Sequence, residues 1–249
     1  MIILVFFAIH WYASLFFQSF FHHRYAAHKH FSMTRGWEKF FYTCCFITQG
    51  SSYISAYAYG IMHRLHHAHS DTEEDPHSPS HHAGFFRTML QTRNSYSAIY
   101  TGQNTIDDKY KKDLPQWQAF DKIAHNWITR LIWIMLYTLF YIQFATAWWQ
   151  FLLLPLTIII GTLQGAVVNW CAHKFGYRNY LTEDTSRNIL PLDVALWGES
   201  YHNNHHKFPG RANYAIRWFE FDCLYGVEIL LDKMNVIHLK KSRCPKAIY

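Results

Sequence analysis

Nine of the 18 histidines in this 249-residue chain fall in four short groups whose spacing suits metal ligation. They are "HRYAAH" (His23, His28), "HRLHH" (His63, His66, His67), "NWCAH" (Asn169, His173) and "HNNHH" (His202, His205, His206). On a helix, positions i, i+3 and i+4 share a face, so each H-x-x-H-H box turns three imidazoles to one side. Its adjacent pair diverges by about 100°, so neighbours are able to serve two different metals. Asn169 and His173, four apart, share a face. His23 and His28 are five apart and would splay on a regular helix. They fit the end of a helix, or two different metals.

Nine imidazoles exceed the four or so ligands of one zinc site. Imidazole suits Zn, Cu, Fe and Ni alike. Two irons sharing the nine is the most economical reading, and it differs from ferritin-like sites, where glutamates carry much of the ligation. The acidic run "DTEEDPH" (Asp71, Glu73, Glu74, Asp75, His77) follows the second box directly. Carboxylates there would accept the spare N–H of metal-bound imidazoles. Asp75 and Glu199, the latter just ahead of the third box, are the best placed. Asn169 has an amide that would hold a metal-bound water. His10 reads as a polar contact inside a span, and His22, His30, His69, His81, His82, His125 and His238 as solvent-facing or supporting groups.

The elements that must position these groups are apolar. Residues 1–21 carry no Asp, Glu, Lys or Arg, and residues 131–170 carry none either. The first is about one bilayer crossing and the second about two. They give spans over 1–21, 131–149 and 151–170, the last two forming a hairpin turned at "ATAWWQ". Residues 40–61 are also uncharged but are interrupted by Ser and Thr. If they crossed, His23 and His63 would lie on opposite sides of the membrane. An interfacial helix over about 40–61 is therefore expected, giving three spans, or four if it crosses. Aromatics make up 19% of the chain, which suits interfacial belts. The lysines and arginines flank the apolar segments on the side of the histidines, which the positive-inside rule makes cytoplasmic. The expectation is one all-α integral membrane domain over 1–249. Its helical cytoplasmic cap, from 62–128 and 173–249, holds the histidine site. The five cysteines form no C-x-x-C pair, so neither a disulfide framework nor a thiolate metal site is indicated.

The order H-x4-H, H-x2-H-H, N-x3-H, H-x2-H-H resembles the membrane fatty acid desaturases of the stearoyl-CoA desaturase type. "HRLHHAHSDTEEDPHSP", "NWCAHKFGYRNY" and "GESYHNNHHKFP" are similar to stretches of that family, and the likeness covers roughly residues 10–225. It implies that all nine histidines ligate two iron ions, with Asn169 holding a water on one of them. It implies O2-dependent conversion of a long-chain fatty acyl substrate, CoA or lipid linked, to a cis (delta-9) alkene. It implies a multi-pass membrane protein with its active site on the cytoplasmic face. The family's usual first span has no counterpart, so the chain starts at what resembles the second. Animal members carry W-A-R-D before the second box; here Tyr59, Gly60, Ile61 and Met62 stand there, and the arginine for the CoA head group is absent. The short length and the "HNNHH" box resemble bacterial members, which points to a bacterial inner membrane.

An unactivated methylene offers no acidic proton, so acid–base chemistry alone cannot start such a reaction. The chain shows no dinucleotide fingerprint, haem motif or iron–sulfur cysteine set. The two electrons must therefore come from an external donor of ferredoxin or cytochrome b5 type with its reductase. A membrane di-iron hydroxylase of alkyl, lipid or carotenoid substrates shares histidine boxes and is the nearest alternative. A metal transporter or sensor would carry its ligands within the spans, along a path. Nucleic acid is not indicated as a partner, since no docking motif accompanies the net charge of +6.

Overall fold

The structure, a computed structural model, describes residues 1–79 and 84–240. His81, His82 and the last nine residues of the expected cap lie outside the described residues. The described chain is mostly helical, with one short two-stranded ribbon in which Phe31 pairs Leu239 and Ser32 pairs His238.

The first span, α1 (Ile2–Ala27), is longer than the uncharged stretch that signals it. It is α-helical to Phe17 and then π-helical over Gln18–Ala27. The basic and histidine residues that end the hydrophobic run in sequence do not end the helix, because they are buried against the rest of the protein.

The expected single helix over 40–61 is two helices. α2 (Arg35–Gln49) ends at Gly50, a single-turn 3-10 segment follows, and α3 (Ala56–His69) returns. At 15 residues, α2 is about 22 Å long, short of the ~30 Å hydrocarbon layer. The break has local causes. Gly50 has φ +52°, and a Cβ there would lie 1.9 Å from the Tyr137 hydroxyl. The serines that interrupt the hydrophobic pattern serve the neighbouring spans. Ser51 donates to the Ile158 carbonyl at 2.6 Å, and Ser52 accepts from the Gly161 N–H at 3.0 Å. The pair turns back at Gly50–Ser52, beside Ile158 and Gly161, which brings the second box back to α1.

After α4 (Phe85–Thr101), α5 (Asp108–Lys111) and α6 (Gln118–Ala124), α7 (Trp127–Phe144) is the second helix long and apolar enough to cross a membrane. It starts before the expected 131 because Arg130 turns inward to donate to the Ser51 and Tyr53 carbonyls. The chain turns at 145–147, as the sequence suggests. The expected third span is broken: α8 (Trp148–Ile158) and α9 (Ile160–Cys171) meet at 72°. Ser51 and Ser52 take up polar backbone groups on either side of that break, which is what a kink inside a bilayer needs. So there are two spans, or three if the bent pair counts as one.

Beyond α9, irregular loops lead to α10 (His202–Lys207), which carries the third box, and to α11 (Cys223–Lys233). An aromatic core that includes Phe20, Phe21, Phe31, Phe41, Tyr42 and Tyr53 locks α1 to α2. Each such ring contributes about 1.5–3 kcal/mol on burial, enough to hold the ends of α1 and α3 in fixed register.

Candidate metal centre

The nine histidines converge into two groups. His23, His28, His63, His67 and His205 form one; His66, His173, His202 and His206 form the other. Within each group the available ligand atoms lie within 4.8 Å of one another. Each H-x-x-H-H box is split between them. The i, i+4 pair goes to one group (His63 with His67, His202 with His206), and the middle histidine crosses to the other (His66, His205). The divergence of adjacent positions seen in the sequence is therefore what separates the two groups.

The five-residue spacing of His23 and His28 is resolved by the π-helix. The His28 N–H donates to the His23 carbonyl at 3.1 Å, an i to i+5 bond. Such a turn returns the fifth residue to the same side, and π turns recur at functional sites. A second π segment, Val167–Cys171, precedes His173.

Carboxylates behind the rings fix which nitrogen is free. Asp75 accepts from His66 Nδ1 at 2.9 Å, and Asp184 accepts from His206 Nδ1 at 2.7 Å. Asp71 lies 3.2 Å from His173 Nδ1, and Glu199 lies 2.7 Å from His23 Nδ1. In a neutral imidazole with Nδ1–H so engaged, Nε2 carries a lone pair and no hydrogen. Yet His66 Nε2 faces His206 Nε2 at 3.3 Å, and His173 Nε2 faces His202 Nε2 at 3.1 Å. In the five-histidine group, His28 to His63 is 2.7 Å, and His67 to His63 and to His205 are 3.0 and 2.9 Å. In the His66–His206 pair, where both Nδ1 atoms are held by carboxylates, two Nε2 lone pairs aim at each other and cannot form a hydrogen bond. A cation between them removes the conflict. Nitrogens bound about 2.1 Å from one ion at tetrahedral or octahedral angles stand about 3.0–3.4 Å apart, close to the separations here. The donor set fits two nitrogen-loving transition-metal ions.

Protonation does not resolve the conflict instead. Burial, reinforced by the neighbouring histidines, holds His63, His66, His67, His202 and His205 well below their ordinary value. Burial also lowers His206, although Asp184 opposes the shift. Burial thus favours the neutral form of these six rings, which is the ligating form.

Both carboxylates singled out in the sequence, Asp75 and Glu199, stand behind ligand candidates. Sequence reasoning missed Asp184, which lies in a loop with no motif, and ranked Asp71 below Asp75. Asp71 also accepts from the Thr185 N–H at 2.6 Å, tying the second box to the 183–186 loop. Asn203 and Asn204, unassigned in the sequence, face away from the histidines. Asn203 Oδ1 accepts from the Asn179 and Tyr180 N–H groups, each at 2.9 Å. Asn204 Nδ2 donates to Glu220 at 2.9 Å and to the Tyr214 carbonyl at 2.9 Å. Together they clamp α10 to the cap. Asn169 lies in the π segment, four residues before His173.

Of the histidines expected to be solvent-facing or supporting groups, His22 and His30 are buried: His22 lies 2.9 Å from the Ile54 carbonyl and His30 2.9 Å from that of Pro209. His10 stacks on Phe6, meets Tyr137 edge-on and also makes the expected polar contact inside the span, to the Thr157 backbone. His77, which carries no assigned role in the sequence, is buried with its ring 4.1 Å from that of His66.

Compared with known proteins, the chain matches the family "Fatty acid desaturase" over residues 1–222. It is 28% identical over 213 residues to the Delta-9 acyl-lipid desaturase 1 of Arabidopsis thaliana, covering 85% of this chain and 66% of the relative. It is 32% identical over 216 residues to the Delta-9 desaturase-like 1 protein of the same plant, covering 83% and 66%. The sn-1 stearoyl-lipid 9-desaturase of Anabaena variabilis is 28% identical over 217 residues, covering 86% and 74%. The chain thus spans about two thirds of the length of these relatives.

Proposed function

The chain belongs to the fatty acid desaturase family, and from that premise we propose that it is a membrane di-iron enzyme that desaturates a long-chain fatty acyl substrate with O2. The observation that carries this reading is the convergence of nine imidazoles into two groups, with the Nε2 lone pairs of His66 and His206 aimed at each other. His23, His28, His63, His67 and His205 would hold one iron. His66, His173, His202 and His206 would hold the other, with Asn169 carrying a water beside His173. Bound there, the metal pair supplies the oxidising power that an unactivated C–H bond requires.

The chain's own residues do the rest. Asp75, Asp184, Asp71 and Glu199 orient the rings and keep Nε2 free. Burial excludes water from the centre. The apolar helices hold the acyl chain so that one carbon pair faces the metals, and that positioning sets selectivity. The reaction removes two hydrogens from adjacent methylenes to leave a cis bond, at position 9 by analogy with the names of the relatives. O2 goes to two waters with two electrons and two protons from outside. The electrons come from a cytoplasmic donor of ferredoxin or cytochrome b5 type with its reductase. The lack of the head-group arginine at Tyr59–Met62 favours a lipid-linked substrate over a CoA thioester. The centre faces the cytoplasm, in a bacterial inner membrane.

The test is to express the chain with a competent donor and profile cellular fatty acids by mass. New monounsaturated chains, two mass units lighter than their precursors, support the proposal. Products one oxygen heavier point to a hydroxylase. An unchanged profile with full metal loading overturns it.

A further inference from the structure

Two loops of the cap have their polarity reversed. In "PLDVALW" (191–197) the only charge, Asp193, is fully buried, accepting from the Leu196 and Ser200 N–H groups at 2.7 and 3.0 Å. Leu192 and Val194 point out, 57% and 58% exposed. In "RWFEF" (217–221) Glu220 is buried, whereas Trp218 is 90% and Phe221 56% exposed. The loops are joined, since the Tyr201 hydroxyl accepts from both the Asp193 and the Phe221 N–H groups, at 3.1 and 2.9 Å. A surface in water carries the opposite pattern, and a contiguous apolar face of this kind marks a partner.

The partner is identified by where the first loop is pinned. Trp197 Nε1 donates to the Tyr12 carbonyl of α1 at 3.1 Å, and its ring meets Phe16 at 5.2 Å. α1 has 26 residues, Ile2–Ala27, and a hydrocarbon layer takes about 20. Windows of that length start anywhere from residue 2 to residue 8, and all of them include residues 8–21. Tyr12 and Phe16 therefore lie in the hydrocarbon layer wherever α1 sits along its axis, and Trp197 lies there with them. Trp197 also lines a shallow apolar groove of about 460 Å³ along α1, together with Ile9, Tyr12 and Phe16.

We propose that the loops 191–197 and 217–221 are inserted in the bilayer, with Leu192, Val194, Trp218 and Phe221 among lipid acyl chains. The cap is sunk beside α1 rather than perched over it. Arg217, exposed next to Trp218, donates through Nε to Asn179 Oδ1 at 3.1 Å. Trp197 precedes Glu199 by two residues, so the support of His23 is one short turn from lipid.

The test uses the full chain in nanodiscs whose phospholipid carries a diazirine at the end of one acyl chain. After irradiation, adducts are mapped by peptide mass spectrometry. Adducts on Leu192, Val194, Trp218 and Phe221 at yields comparable to Leu4 and Ile9 of α1, with none on the aqueous segment Asp107–Lys111, are expected. Labelling of α1 without the two loops overturns the proposal. So does a parallel sample treated with a bifunctional photo-cross-linker in which these loops are joined between two copies of the chain, which would make the face a dimer contact. Absence of label from α1 itself would overturn the membrane reading of that helix and this proposal together. None of these outcomes bears on whether the centre desaturates.

Discussion

At the ring nitrogens, what each histidine does is decided by what its other nitrogen touches. His206 is held by Asp184 and His66 by Asp75, so losing the carboxylate frees the ring to rotate and shift tautomer. Asp184→Ala is expected to weaken metal binding about 10–100-fold with the fold intact; chelator competition measures it. His67→Ala and His206→Ala should each lose iron and desaturation together, the first from the five-histidine group and the second from the other. A variant with full activity would refute the ligand assignment. Acid should act through the same rings. His63, His66, His67, His202 and His205 are held well below 6.5 by burial. Below that pH the unfolded chain binds protons that the folded chain refuses. Stability of the metal-free protein is therefore complete above 6.5 and falls as pH drops through it, by up to about 1.4 kcal/mol per histidine per pH unit. Thermal denaturation across pH 5–8 reads this out.

Among the elements, the π-helical end of α1 is the most specific device. It returns His28 to the side of His23, where a regular helix would not. Inserting an alanine between Ala26 and Ala27, which makes the spacing six, should carry His28 off that side on either kind of helix and empty the five-histidine group while the other keeps its ion; metal content falls from two per chain to one. Gly50 is the second such point. Its φ of +52° and the Tyr137 ring leave no room for a Cβ. Gly50→Ala should destabilise the α2–α3 turn by more than about 1 kcal/mol, seen as a lower melting temperature. That turn was hard to read from sequence. A run of small and hydroxyl residues looks like a weak apolar helix unless one knows that Ser51 and Ser52 meet a kink more than 100 residues away.

For the whole molecule, the joint between span and cap rests on Arg24. Its guanidinium is fully buried, donates to both oxygens of Asp222 at 2.9 Å and lies over the Tyr214 ring at 4.2 Å. Breaking one side of a buried pair leaves an uncompensated charge and costs about 3–5 kcal/mol. Arg24→Ala should therefore loosen the cap from α1, with proteolysis appearing first in the segment around Trp197. In the sequence Arg24 reads as a topology signal at a membrane edge. Its role as a central tie is visible only with Asp222 in place.

The sequence alone determined which side chains are candidates for the chemistry. Histidine boxes at i, i+3 and i+4 pick out the candidate ligands, and uncharged runs near bilayer length pick out the candidate spans, because both are local and periodic properties of the chain. It also picked Asp75 and Glu199, which lie within a few residues of a box. The tertiary structure decided which histidine belongs to which group, how a spacing of five comes to share a side, where the third span breaks and which distant carboxylates orient the rings. Those depend on contacts between residues far apart in the chain. His23 and His205 meet at 3.1 Å across 182 positions, a distance set by packing that no local spacing encodes.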